Sequence, residues 1–291
     1  MPRTPRQGWT DTYWDVLEQL YWTPKYLGLK SVPRKLWQNV GDRVSIPADQ
    51  TNKNGPLYFR VLSTTDYWPY IVRQEETFNH LLDLTLSILS PIDTIELLKP
   101  LCHFPDGIEV APLGRSINDF LGWPSQANYT QPDVFLAGAR ALAMIEIKFN
   151  AKTSLDQVGK YIALAVRALE MGRPLSDISL TYVFPGPNPK ESLSNQLGLS
   201  IEALRALDHT RLAMHVGNSA LRAVLSANPR LTKKVLQDIR VNAINWDQVM
   251  VRLDTSIENA SQDQGGRTYA NLLSGLREAI ETHPLSKLRS S

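Results

Sequence analysis

Two carboxylates and one lysine stand out in this chain by where they fall. Asp133 opens the short apolar run PDVFLAG. After the turn Ala-Gly-Ala-Arg, the nearly continuous apolar run ALAMIEIKF carries Glu146 and Lys148 two positions apart. Alternate side chains of a β-strand share a face, so Glu146 and Lys148 project together while Ile147 points into the core. An apolar strand with two ionised side chains on one face contradicts its own pattern, and such contradictions concentrate at functional sites. The chemistry this set suits is metal-assisted hydrolysis of a phosphodiester. Hard carboxylate oxygens hold Mg²⁺, which keeps several waters, and the metal polarises phosphate and lowers the pKa of a bound water. A lysine ammonium can position that water or stabilise charge on the transition state. The competing reading is an α/β domain whose Glu146–Lys148 pair is a strand-end surface salt bridge, worth under about 1 kcal/mol.

The elements that must position these residues follow from periodicity. QEETFNHLLDLTLSILS has apolar residues at 78, 81, 82, 84, 86, 88 and 89, a helix that ends before Pro91. IEVAPL (108–113), PDVFLAG (132–138), ALAMIEIKF (141–149) and DISLTYVFPG (177–186) read as strands, the third as one buried on both faces. Between the last two, TSLDQVGKYIALAVRALEMGRP starts with a Thr/Ser cap and stops at Gly172 and Pro174, a well-signalled helix. The order helix, strand, strand, strand, helix, strand predicts an α/β layer. From about 190 onward the pattern reads as helical, with breaks at Asn228-Pro229, Asn242 and Gly265-Gly266. The first 70 residues are aromatic-rich and irregular, with Trp9, Tyr13, Trp14, Leu17, Leu20, Tyr21 and Trp22 spaced as in one amphipathic helix. Those aromatics could stack nucleobases or cap the main core. The expected organisation is an N-terminal segment (1–70), a core (71–190) and a helical C-terminal subdomain (191–291).

Pro132-Asp133, a short spacer and Glu146-x-Lys148 together resemble the signature of the PD-(D/E)XK nuclease superfamily. Gln157-Val-Gly-Lys-Tyr161, on the following helix, is similar to the Q-x-x-x-Y element of its RecB-like and related branches. The order αβββαβ is that superfamily's common core, and the resemblance covers about residues 70–186. Its weight lies in the combination, because Glu-x-Lys alone occurs by chance in most proteins. The resemblance implies a restriction-endonuclease-like α/β fold with a mixed central sheet. It implies that Asp133 and Glu146 bridge Mg²⁺ or Mn²⁺, with the Ile147 carbonyl as a third ligand and Lys148 as the catalytic lysine. Gln157 and Tyr161 would flank the site and orient Lys148, the metal site or a phosphate; the alternative for Tyr161 is packing against the sheet with a solvated hydroxyl.

In those enzymes an acid on the first core helix often joins the metal. Glu75 shares the apolar stripe of Phe78, Leu82 and Leu86 and is preferred. Glu76 points with Asn79, His80, Asp83 and Ser87 toward the polar side. The alternative for Glu75 is a first-turn acid favoured by the helix dipole. Lys152 and Lys160 suit phosphate contacts or a solvated face, and Asn150 could cap the next turn or touch substrate.

The activity this resemblance implies is Mg²⁺- or Mn²⁺-dependent endonucleolytic hydrolysis of DNA, in DNA processing or prokaryotic anti-phage defence. DNA is the expected partner, with a second copy of the chain or a defence-system protein beside it. Alternatives are a catalytically silent nuclease-like subunit that binds DNA or protein within a larger assembly, and a nuclease active only with a partner or ligand signal. Composition bounds these expectations. At 291 residues the chain has room for one large or two modest domains. Lys plus Arg total 31 against 29 Asp plus Glu, a net charge of +2, which excludes a histone-like polycation. The lone Cys102 excludes an intramolecular disulfide and a multi-Cys zinc cage. No HExxH, Gly-x-Ser-x-Gly elbow or Walker A loop occurs. Arg230, Lys233, Lys234 and Arg240 read as a basic helical stretch, either a duplex-backbone contact or a solvated face. The start lacks a signal-peptide h-region and no run of about 18 apolar residues occurs, so the expectation is a cytoplasmic protein with no membrane span.

Overall fold

The computed structural model describes residues 9–10, 75–105, 108, 110–113, 117–124, 129–149 and 152–282. Its centre is a mixed five-stranded sheet in the order β1-β2-β3-β4-β5. The strands are β1 (Ala111–Pro112), β2 (Val134–Ala137), β3 (Ala141–Ile147), β4 (Asp177–Phe184) and β5 (Arg240–Asn245). β1 and β2 pair antiparallel, as do β2 and β3, whereas β3–β4 and β4–β5 are parallel. The β2–β3 hairpin sets Val134 against Ile145 and Ala137 against Leu142, and Gly138 N–H closes its turn on the Ala141 carbonyl at 2.9 Å. An antiparallel hairpin brings the start of β2 and the end of β3 to the same edge of the sheet. Asp133 and Glu146-Ile147-Lys148 therefore meet there.

Helices cover both faces, as a strand apolar on both sides requires. Before the sheet come α1 (Glu75–Ile88), α2 (Pro91–Cys102) and the single turn α3 (Ile117–Phe120). Pro91, which ends the first apolar helix, also opens the second: it sits at the first turn of α2 behind the N-cap Ser90, where a missing N–H costs nothing. The crossover helix α4 (Leu155–Glu170) begins at Ser154, whose side chain accepts the Gln157 N–H. Helices α5 (Pro189–Leu197), α6 (Ile201–Arg205), α7 (His209–His215), α8 (Ser219–Ala227) and α9 (Pro229–Asp238) link β4 to β5, and α10 (Trp246–Glu258) and α11 (Gln264–Thr282) follow. Leu142 and Met144 of β3 pack with Val158, Tyr161 and Ile162 of α4 on one face. Ala143, Ile145 and Ile147 pack with Phe78, Leu81 and Leu86 of α1 on the other.

The structure thus contains an α/β layer in the expected order, and it amends three expectations. The span 108–113 yields only the two-residue β1. In chain order a second helix, α2, intervenes between α1 and the first strand, because Pro91 starts a helix as readily as it ends one. The stretch from 191 is not helical throughout: Arg240–Asn245 forms β5, paired along β4. Asn242, expected as a break, lies buried inside that strand and donates to the Leu101 carbonyl at 2.7 Å, satisfying an acceptor at the end of α2. The basic stretch is split accordingly. Arg230, Lys233 and Lys234 lie exposed on α9, with Lys234 on Asp238 at 2.5 Å, while Arg240 begins β5 and pairs with Asp177 at 3.0 Å.

Both apolar clusters draw residues from either side of position 190. Of the aromatic N-terminal segment only Trp9 and Thr10 are described; the Trp9 indole donates to the Leu272 carbonyl of α11 at 3.1 Å. The other aromatics of that segment lie outside the described residues. No helix among the described residues is long and apolar enough to cross a membrane.

Candidate active site

Glu146 and Lys148 emerge on the α4 face of β3 and are both 4 % exposed. Lys148 Nζ lies 2.6 Å from Glu146 Oε1. This is a buried ion pair, not the strand-end surface salt bridge of the competing reading. Burying two charges costs several kcal/mol unless they are paired and hydrogen-bonded, and here both conditions are met. Gln157, at the third position of α4, donates from Nε2 to Glu146 Oε1 at 2.5 Å, and the Tyr161 hydroxyl donates to Glu146 Oε2. The same Gln157 Nε2 also donates to the Tyr161 oxygen at 3.1 Å. Spacing i, i+4 puts Gln157 and Tyr161 one turn apart on one face of the helix, which is why both reach one carboxylate. Tyr161 is 1 % exposed, so its hydroxyl is not solvated but spent on Glu146.

Asp133 stands on the adjacent strand end. Its Oδ2 accepts the Ile147 N–H at 2.7 Å and its Oδ1 accepts Asn79 Nδ2 at 2.5 Å. In a strand the amide and carbonyl of one residue point to the same neighbour, so the Ile147 carbonyl faces the Asp133 side of β3. Asn79, assigned from the sequence to the polar side of α1, in fact reaches the sheet edge. Its Oδ1 is buried with no hydrogen-bond partner among the described residues.

The two carboxylates share an electrostatic neighbourhood. Burial first, then the charge and hydrogen bond of Glu146 and the charge of Asp133, push the Tyr161 phenol far above its usual pKa. Burial also raises Tyr182, with the charges of Glu146 and Asp133 adding to it and a neighbouring Thr153 partly offsetting. Tyr182 pairs in register with Glu146 on the next strand. Both phenols stay protonated at any physiological pH, so Tyr161 acts as a hydroxyl donor and not as a base.

The structure brings together Asp133, Glu146, Ile147, Lys148, Gln157 and Tyr161. It does not bring Lys160 to them: its Nζ lies 2.6 Å from Asp156 Oδ2 one turn back on α4, an i, i+4 pair on the helix surface. Asp156 is held further by the Gly217 N–H at 2.7 Å, and that pairing keeps its pKa low despite some burial. Lys152 is exposed. Asn150 and the side chains of Glu75 and Glu76 lie outside the described residues, although position 75 falls one turn before Asn79 on α1.

Four residues were not read from the sequence as part of this site. Tyr182 had a signal, since aligning the two strands in parallel sets it opposite Glu146. Asn79 was visible as a polar residue on an apolar helix. Thr153 and Gln196, linked by a Thr153 N–H to Gln196 Oε1 bond of 2.8 Å, had none, because their partners are set by packing.

Hard oxygens dominate the donor set: two carboxylates, a strand carbonyl and the open amide oxygen of Asn79. These could hold a divalent cation such as Mg²⁺ or Mn²⁺, which takes one or two carboxylates and keeps much of its water. Among the described residues no group of three or more His, Cys, Asp or Glu gathers. No family model, curated protein or solved structure matches this chain.

Proposed function

We propose that this protein is a Mg²⁺- or Mn²⁺-dependent nuclease of PD-(D/E)XK type that hydrolyses DNA phosphodiesters at the edge where β2 and β3 meet. The observation that carries this reading is the buried Glu146–Lys148 pair on a strand otherwise apolar on both faces, with Asp133 bound to the amide between them. A purely structural core would dispense with both charges, since apolar replacements of a buried pair are often neutral or stabilising.

Asp133, Glu146 and the Ile147 carbonyl would hold the cation, with Asn79 Oδ1 available to it or to its water. When bound, such an ion supplies Lewis acidity toward phosphate and lowers the pKa of a water. Lys148 neutralises charge that gathers on a phosphate as it is attacked. Gln157 and Tyr161, neutral donors, hold Glu146 in one orientation so that its carboxylate need not reorganise during reaction.

Asp133→Asn is the cleanest probe. The new side chain can still accept the Ile147 N–H, and Asn79 can turn its amide so that Oδ1 meets the new NH₂. The full chain is expected to cleave or nick DNA with Mg²⁺ or Mn²⁺, to stop with EDTA, and to lose on the order of 100-fold or more in rate in Asp133→Asn and Glu146→Gln. Undiminished cleavage in Asp133→Asn defeats the mechanism.

One observation favours a second reading, a catalytically silent member of the same architecture that binds DNA or protein: both oxygens of Glu146 are already met by three side chains of the chain itself. Titration calorimetry with Mn²⁺ separates the two, since the silent form binds DNA or protein without taking up the ion.

A further inference from the structure

Gln196 lies at the end of α5, after the last element of the αβββαβ order, yet it reaches the candidate site. Its Oε1 accepts the Thr153 N–H at 2.8 Å, in the short segment between β3 and α4. Thr153 is 3 % exposed, and its hydroxyl donates to Gln157 Oε1 at 2.9 Å. An amide whose oxygen is engaged on one side must present its NH₂ on the other. Both hydrogens of that NH₂ are used, one on Glu146 Oε1 and one on the Tyr161 oxygen. The Tyr161 hydrogen in turn goes to Glu146 Oε2. Turned over, Gln157 would set a carbonyl oxygen against an acceptor-only carboxylate, so Glu146 selects which way the amide faces. The Thr153 hydroxyl anchors the amide in that orientation by donating to Oε1 from the far side, and Gln196 holds the backbone that carries the hydroxyl.

We propose that Thr153 and Gln196 are positioning residues of this site. Gln196 fixes Thr153, Thr153 fixes the Gln157 amide, and Gln157 with Tyr161 fixes the carboxylate of Glu146. The proposal rests on the nuclease reading for what Glu146 does, and on the hydrogen-bond chain for how it is held. It ties the helices between β4 and β5 to the site, so a change at α5 is felt at Glu146 across two intervening side chains. Both residues act on the site through Gln157 and Glu146, so the expected effect falls on turnover more than on substrate affinity.

The test uses the full chain in two pairs of variants. Gln196→Leu and Thr153→Val delete the acceptor and the hydroxyl; Gln196→Glu and Thr153→Ser keep them. With Mn²⁺ and a DNA substrate, kcat is expected to fall roughly 10-fold or more in the deleting pair at nearly constant KM, and to stay near wild type in the conserving pair. Thermal melts report whether each variant is folded. A second readout does not depend on activity. In protein labelled with ¹⁵N-glutamine, the Gln157 side-chain amide protons exchange slowly in the wild type and in the conserving pair, and lose that protection in the deleting pair. Wild-type kcat in both deleting variants, or unaltered Gln157 amide signals in them, overturns the proposal. Absence of cleavage by the wild type, or cleavage that survives Asp133→Asn, overturns the nuclease reading instead, and the amide signals then decide the positioning chain by themselves.

Discussion

Removing the Tyr161 hydroxyl leaves the buried Glu146 Oε2 without its donor. Tyr161→Phe is therefore expected to lower stability by about 1–3 kcal/mol, the cost of an unsatisfied buried acceptor. Equilibrium urea unfolding measures it, and an unchanged midpoint would mean that water already serves that oxygen. The ion pair makes a sharper prediction. Lys148→Met strands a buried carboxylate and should cost about 3–5 kcal/mol, while Glu146→Gln with Lys148→Met in one chain should recover most of the loss. A double variant no more stable than the single one would show that the two side chains do not act as a pair. This is also why Asp133→Asn, at a half-buried position with a partner able to turn, is a better functional probe than alanine at Glu146 or Lys148. At this scale the sequence disclosed residue types and their spacing, and the helical period puts Gln157 and Tyr161 on one face, while their meeting on Glu146 comes from how α4 packs against β3. Nor does any local period give the partner of Asp133, since Asn79 lies 54 residues away.

The elements that carry the site are set by close packing as much as by periodicity. Gly159 of α4 faces α7 so closely that a Cβ added there would come within 2.5 Å of Val216 Cγ2. Alanine is intrinsically better in a helix by about 1 kcal/mol, but Val216 is stiff and fully buried, and overpacking costs about 1–3 kcal/mol. The overlap wins, so Gly159→Ala should lower the melting temperature, and by less in a Val216→Ala background. A higher melting temperature in Gly159→Ala would show that α7 yields freely. Periodicity found the β2–β3 hairpin and α4 within a few residues, because both carry strong local patterns with clear caps and turns. It missed β5, whose RVNAIN has weak alternation and an Asn in the middle. A strand like that gains its order from the neighbour it pairs with, and its Asn is acceptable in the core only because Leu101 offers a carbonyl.

Across the whole molecule, the lone thiol reports on the integrity of the core. Cys102 lies buried at the end of α2, and burial, slightly offset by Thr181, pushes its pKa from 9.0 up to about 12. The folded state holds that proton more tightly than the unfolded chain. The resulting stability is complete below about pH 9 and is lost as pH rises toward 12, at up to about 1.4 kcal/mol per pH unit. Between pH 9 and 10, before the buried phenols of Tyr161 and Tyr182 add to the slope, Cys102→Ala should therefore lose stability less steeply than the wild type. Urea unfolding at several pH values measures both slopes, and equal slopes would mean that the thiol is already free to ionise in the native state.

The sequence alone determined the local facts: an α/β order, a hairpin that carries an acid at its start and an acid-lysine couple at its end, and a capped helix presenting Gln157 and Tyr161 on one face. These are legible because strand and helix periods act over a few residues. Tertiary structure decided that the ion pair is buried, that Lys160 turns to Asp156, that Asn79 holds Asp133, that β5 completes the sheet, and that Gln196 reaches Thr153 from 43 residues away. Desolvation and hydrogen-bond partnership depend on which surfaces meet across the fold, and no local period records that.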